Sequence, residues 1–173
     1  MSFYDFHIRQ EVFPVRDYMQ YLFSISIMSI SVCPLGWSRF QMSCYRLFSE
    51  TKLDWTTAKF HCRDRQSHLV SLHSVEEWEF VTKMLINVTL FPDDLWTGGY
   101  KSDTWKWDDN SPLSEDGWVN TMWAYGNPDG TPYDCMYMWK EDGYRLADTD
   151  CEAHPKPFVC KINTGKLVFH SKS

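Results

Sequence analysis

The sequence predicts one disulfide-stapled α+β domain carrying a long ordered loop. Three observations predict it. Six cysteines stand at 33, 44, 62, 135, 151 and 160. Two segments carry the start signals and apolar spacing of helices. The rest of the compact part divides into short strand-like runs separated by Gly, Asp and Pro. A chain of 173 residues is the usual size of one domain with a short appendage. Aromatic residues make up 17% of it, including nine Trp, which is ample for a real core.

The even cysteine count reads as three disulfides and an oxidising compartment. Zinc ligation needs close pairs such as C-x2-C, and none is present. The six histidines show no ligand spacing either. Cysteine spacing alone leaves the pairing open.

The elements follow in chain order. Residues 21–32 are apolar and serine-rich. The run is too short to span a bilayer but suits the core of a signal peptide, with Ser29 and Ser31 before a cut ahead of Val32. Its Ser/Ile alternation also fits a strand. Residues 1–32 are therefore set apart as an atypical leader-like segment. Trp37–Phe40 and Ser43–Phe48 read as two strands around a turn. Asp54 is placed to cap a helix from Trp55 to Arg65, with Trp55, Ala58 and Cys62 on one buried stripe. His68–Leu72 is a short apolar strand candidate. Ser74-Val75-Glu76-Glu77 forms a capping box for a second helix, whose face is Trp78, Val81 and Leu85 and which runs to about Asn87. Asn87-Val88-Thr89 is an N-glycosylation acceptor in a secreted chain.

Leu95–Tyr100 and Thr104–Trp107 are the next strands. Residues 108–134 are rich in Asp, Asn, Ser, Pro and Gly, yet hold Trp118, Trp123 and Tyr125, which predict an ordered loop. Cys135–Lys140, Tyr144–Asp148 and Pro157–Lys161 are the last strands, with Asp142-Gly143 turning the first into the second. Residues 163–173 are a polar tail.

Net charge is −6, which argues against nucleic acid as a partner. The charge is uneven. Residues 93–152 hold fourteen acids against four Lys and Arg, a balance of −10. That excess reads as a solvated acidic surface, or as a face for a cation or a basic ligand. No motif ties a Ser/His/Asp set together, and no phosphate-cradling glycine loop or zinc helix is present. The expectation is a binding protein and not an enzyme.

Taken in order, Cys33-Pro34-Leu35-Gly36-Trp37, the helix Trp55-x2-Ala58-x3-Cys62, His68–Leu72, the Glu76-Glu77 helix, Leu95-Trp96-Thr97-Gly98, Trp105-x-Trp107-x-Asp109, Trp123-x2-Gly126-x-Pro128, Cys135, Cys151 and Phe158-Val159-Cys160 resemble the C-type lectin-like domain. The likeness covers residues 33–162. It implies two helices, two small antiparallel sheets and a long ordered loop. It implies the bridges Cys33–Cys44, Cys62–Cys160 and Cys135–Cys151, the first being the extra bridge of the family's long form.

The resemblance also implies a ligand site. Sugar-binding members hold a calcium with two side chains flanking a cis-proline, a Glu two residues before a cysteine, and an Asn-Asp pair before the next. Here Asn127 and Asp129 flank Pro128, and Asp148 matches the acid of the pair. Tyr133 stands at the Glu position and Ala147 at the Asn position, so three of five side-chain ligands remain. Calcium seeks six to eight oxygens, so each loss weakens such a site. The local reading of Asn127-Pro128-Asp129-Gly130 is a turn without metal. The expected function is a secreted recognition module binding glycan through Asn127, Pro128, Asp129 and Asp148 on the long-loop face. The alternative is calcium-independent recognition of a protein ligand. Oligomeric state is not legible.

Overall fold

In the computed structural model of the chain, residues 33–86, 93–113, 117–130 and 135–164 are described. The leader-like segment, Asn87, Tyr133 and most of the polar tail lie outside them. The described strands are β1 (Ser38–Phe40), β2 (Ser43–Leu53), β3 (His68–Leu69), β4 (Leu95–Lys101), β5 (Trp105–Trp107), β6 (Cys135–Trp139), β7 (Arg145–Thr149) and β8 (Lys156–Asn163). Helix α1 is Trp55–Arg63 and helix α2 is Val75–Ile86.

The strands join in the order β1-β2-β8-β4-β6-β7, with β3 on β8 and β5 on β4. All pairings are antiparallel but one. The parallel contact Trp96↔Phe158 links β4 to β8. Two antiparallel groups, β1-β2-β8-β3 and β5-β4-β6-β7, thus meet along a single short seam. All three bridges form: Cys33–Cys44, Cys62–Cys160 and Cys135–Cys151. The Cys62–Cys160 bridge ties α1 to β8 across 98 residues, where loop closure stabilises by about 4–5 kcal/mol in the simple chain model.

Local sequence explains the helix ends. The Asp54 side chain accepts from Thr57 N–H at 2.9 Å and from the Thr57 hydroxyl at 2.7 Å, which starts α1. The helix ends at Arg63, two residues earlier than expected. Chain reversal begins there, with Gln66 at positive φ and Ser67 Oγ donating to Cys62 O. In β4, a Cβ at Gly98 would lie 2.7 Å from Leu69 O, and one at Gly99 would lie 2.7 Å from the Met136 side chain. Both glycines let neighbouring chains approach closely.

The core has two clusters. One gathers Tyr45, Val81, Leu85, Trp107, Met136, Met138 and Leu146 beneath α2. The other gathers Trp55, Ala58, Trp96 and Phe158 with the Cys62–Cys160 bridge. Buried charge runs through both. Lys161 Nζ of β8 lies 2.5 Å from Glu77 Oε1 of α2, and both side chains are buried. Tyr45 donates to the same Glu77 oxygen at 2.5 Å. Burial, reinforced by Glu77, pushes the Tyr45 phenol far above its ordinary pKa. Glu77 therefore departs from the capping-box reading. Its N–H donates to Ser74 Oγ in the cap, but its carboxylate accepts from His73 N–H and turns to the core. Near α1, the fully buried carboxylate of Asp108 meets Lys59 at 3.2 Å, Arg63 at 3.0 Å and His68 Nδ1 at 3.3 Å.

Removing one partner of a buried ion pair strands the other charge, at a cost of about 3–5 kcal/mol. Lys161→Ala is therefore expected to lose that much in urea denaturation with the disulfides intact. The apolar triple variant Glu77→Leu, Lys161→Met, Tyr45→Phe is expected to recover most of the loss. Equal destabilisation by both variants would count against a stranded charge as the cause.

Candidate functional site at the long loop

The described parts of the loop after β5 are ordered by their aromatics, as the composition suggests. Trp118–Met122 forms a 3-10 turn. Trp123 packs on Trp105 with ring centroids 5.2 Å apart. It also makes a bridge to Leu146 of β7, and Ala124 N–H donates to Leu146 O at 2.8 Å. The loop is thereby fastened to the β6-β7 hairpin. Gly143 and Tyr144, both at positive φ, turn that hairpin, and the Cys135–Cys151 bridge closes its far end.

This fastening brings Asn127, Pro128, Asp129 and Asp148 together. The Asn127-Pro128 bond is cis. Asp129 N–H donates to Asp148 Oδ1 at 3.1 Å. Asp148 N–H donates to Asn127 Oδ1 at 3.4 Å. Asp148 is 6% exposed, and its Oδ2 is buried with no partner among the described residues. Burial, with a further push from the Asp129 charge, raises the Asp148 carboxyl above its ordinary pKa. The same negative field acts on Tyr137, whose phenol is pushed up to about 12 by burial and then by Asp94, Asp148 and Asp129.

The donors present can be weighed against calcium. Asn127 Oδ1 and Asp148 Oδ1 already accept backbone N–H groups of the loop and hairpin. Ala147 is buried opposite Tyr137 in the β6-β7 ladder and adds no side-chain oxygen. The Asp129 carboxylate and Asp148 Oδ2 remain. Among the described residues, no group of three His, Cys, Asp or Glu is placed to hold a metal. The described oxygens fall short of a calcium shell.

The Lectin C-type domain family model matches residues 51–162. The chain belongs to the C-type lectin domain family. It is 32% identical over 141 residues to Snaclec EMS16 subunit beta of Echis multisquamatus, spanning 79% of this chain and 83% of that protein. Among solved structures, it resembles the cow carbohydrate-recognition domain of CD23, crystallised with an oligosaccharide. That likeness has a TM-score of 0.63 and 28% identity, over 76% of this chain and 96% of that one. It also resembles a calcium-independent type II antifreeze protein, with a TM-score of 0.65 and 25% identity, over 76% and 95% of the two chains. The C-type lectin fold accounts for the two helices, the paired sheets and the bridges.

The acidic segment is less open to solvent than its balance of −10 suggests. Asp93 pairs with Lys52 at 3.0 Å and Asp94 lies 3.9 Å from Lys156. Asp108 is buried between Lys59 and Arg63. Cations from outside the segment thus meet three of its acids, which weakens the case for a basic ligand. Sequence reasoning did not find the Glu77–Lys161 pair. The signal was there in the β8 run Phe158–Ile162, where one Lys interrupts an apolar strand.

The raised Asp148 carboxyl gives a pH test. A folded-state pKa above the unfolded value contributes stability that is full at low pH and lost as pH rises through the folded value. Asp148→Asn keeps an acceptor for Asp129 N–H and removes the buried charge. Its melting temperature is expected to match or exceed wild type at neutral pH, with the advantage fading below about pH 4. A melting deficit that is constant from acid to neutral pH would show that the charge is not the cost.

Proposed function

We propose that the chain is an extracellular recognition module that binds a protein ligand through its long-loop face without calcium. The observation that carries this is the inward turn of two of the site's oxygens. Asn127 Oδ1 and Asp148 Oδ1 latch the loop to the hairpin, so they order the surface and are not offered to an ion. Tyr125, three residues before the cis-proline, is 98% exposed. A large aromatic presented on a fixed loop is the kind of side chain that anchors protein interfaces. The three disulfides support an oxidising, extracellular setting. Asn87 as a glycan acceptor belongs with that placement. The likeness to a calcium-independent antifreeze protein supports a scaffold that works without the ion.

A second reading rests on Asp148 Oδ2. A buried carboxylate oxygen without a partner, beside Asn127 and Asp129 on either side of a cis-proline, supports calcium-assisted glycan binding. In that reading these three side chains hold the ion, which draws sugar hydroxyls to the loop.

Thermal melting separates the two. A ligand selective for the folded state must raise stability. Millimolar calcium against chelator is expected to shift the melting temperature by less than about 1 °C. A rise of several degrees, abolished by Asp129→Ala, would establish the second reading. Tyr125→Ala is expected to leave melting unchanged and to weaken binding to ligand-bearing cells by about ten-fold or more. Undiminished binding would remove Tyr125 from the interface.

A further inference from the structure

We infer that a depression beside β5, apart from Asn127, Asp129 and Asp148, is a calcium-independent subsite for a neutral sugar ring. The depression has a volume of about 320 Å³, and Thr104, Trp105, Trp107, Asn110, Pro112 and Leu113 are among its walls. That volume suits one sugar ring, at the small end of ligand pockets.

Its chemistry is specific. Trp107 is 1% exposed, and its indole N–H is buried with no acceptor among the described residues. A buried donor without a partner is costly, and native proteins rarely leave one unmatched. The Asn110 amide and the Thr104 hydroxyl stand on the exposed rim, and no side-chain hydrogen bond engages either among the described residues. Trp105 is half-buried in the wall, with Trp123 tilted against it. Leu113 and Pro112 complete an apolar side.

These groups select against other ligands. An anion would need a free cation, but the ammonium of Lys106 is turned to Ser102 Oγ at 2.9 Å. A cation would need an acid, and none of the described residues lining the wall is one. A purely apolar ligand would leave the Trp107 N–H unmatched. A neutral ring with C–H groups on its face and hydroxyls on its rim meets all three wall types. The indole takes the ring face, and the Trp107 N–H, Asn110 and Thr104 take the oxygens.

The walls are also held in place. Asn110 N–H donates to Trp107 O at 3.1 Å, and Asn110 sits at φ 61. Asp109 fixes the next residue by accepting from Ser111 N–H at 2.9 Å and from its hydroxyl, and it accepts from Ser71 Oγ at 2.6 Å. A wall ordered before binding spares the ligand an entropy cost.

The subsite does not depend on the protein-ligand reading, and its test is separate from the calcium melt. The ¹⁵N-labelled full chain is titrated with the methyl glycosides of glucose, galactose and N-acetylglucosamine, to about 50 mM to reach weak single-ring affinities. The solution contains chelator. The Trp107 indole signal is identified as the one missing from Trp107→Phe. At least one glycoside is expected to shift it saturably, and to the same extent with calcium in place of chelator. Asn110→Gly, which suits positive φ and deletes the amide, is expected to weaken that binding about five-fold. Thr104→Val serves as a second rim variant with the same expectation, and Asp129→Ala is expected to have no effect. No saturable shift with any of the three glycosides would overturn the inference. So would affinity unchanged in both rim variants, or a shift that requires calcium or is lost in Asp129→Ala.

Discussion

The buried ion pair between Lys161 and Glu77 is the contact on which the described fold turns. It joins β8, the strand at the junction of both antiparallel groups, to α2, the helix that covers the larger core cluster. Tyr45 brings β2 into the same contact. Lys161 also donates to Ser71 O at 2.9 Å, which holds the chain between β3 and α2. Three stretches distant in sequence, at 45, 71–77 and 161, thus meet around one ammonium group. A charge in this setting is stable only while its partners stay in place, so the contact specifies an arrangement more than it adds net stability. An apolar contact of similar size would tolerate sliding, and this one does not.

The long loop is held by weaker devices of a different kind. Its aromatic residues pack against β5, and short backbone hydrogen bonds tie it to β7. The cis-proline segment is closed by the carbonyl and carboxylate oxygens of Asn127 and Asp148. The structure therefore divides in two. A scaffold of disulfides, sheets and buried ion pairs carries the rigidity. A loop held mainly by local contacts carries the variable surface. This division lets ligand-facing residues change while the core stays constant. It also explains how Ala147 is accommodated. The position lies in a β-ladder, where a small apolar residue packs well opposite Tyr137. An asparagine there would serve only a ligand outside the ladder.

The fold was legible in the sequence because local signals and cysteine placement agreed. Asp54 capped α1 as read, and Asp142-Gly143 turned the last hairpin. The ordered loop was legible from Trp118 and Trp123, which had to bury their rings somewhere. The convergence of Asn127, Asp129 and Asp148 was legible only through the family resemblance, because no local pattern reports contacts between a loop and a strand some twenty residues on. Of the charge network, the sequence offers only Lys161 interrupting an apolar strand, with no sign of its partners. Glu77 carries a capping-box signature, which reads as a surface residue. Only the tertiary packing of α2 on β8 reveals that its carboxylate faces inward. For the same reason, the acidic balance of residues 93–152 overstated the acidity offered to a ligand. Sequence counts charges, whereas pairing across the fold decides which of them reach solvent.

Asp108 shows how the same sequence feature can serve the scaffold and not the site. It stands in the acidic stretch beside Asp109 and follows the Trp105-x-Trp107 pair, and it reads as part of a recognition loop. In the fold its carboxylate is buried between two cations of α1 and a β3 histidine. Its N–H donates to Gly98 O at 2.8 Å, in the strand that needs glycine to approach Leu69. Asp108 thus locks the end of β5 to α1 and β4. Trp107, Asp109 and Asn110 are its chain neighbours, so the same lock fixes the orientation of the indole N–H and the turn that follows. A surface built on such a turn keeps its shape without a bound ion. That is a physical reason why a lectin-like scaffold can hold this face in order without a bound ion.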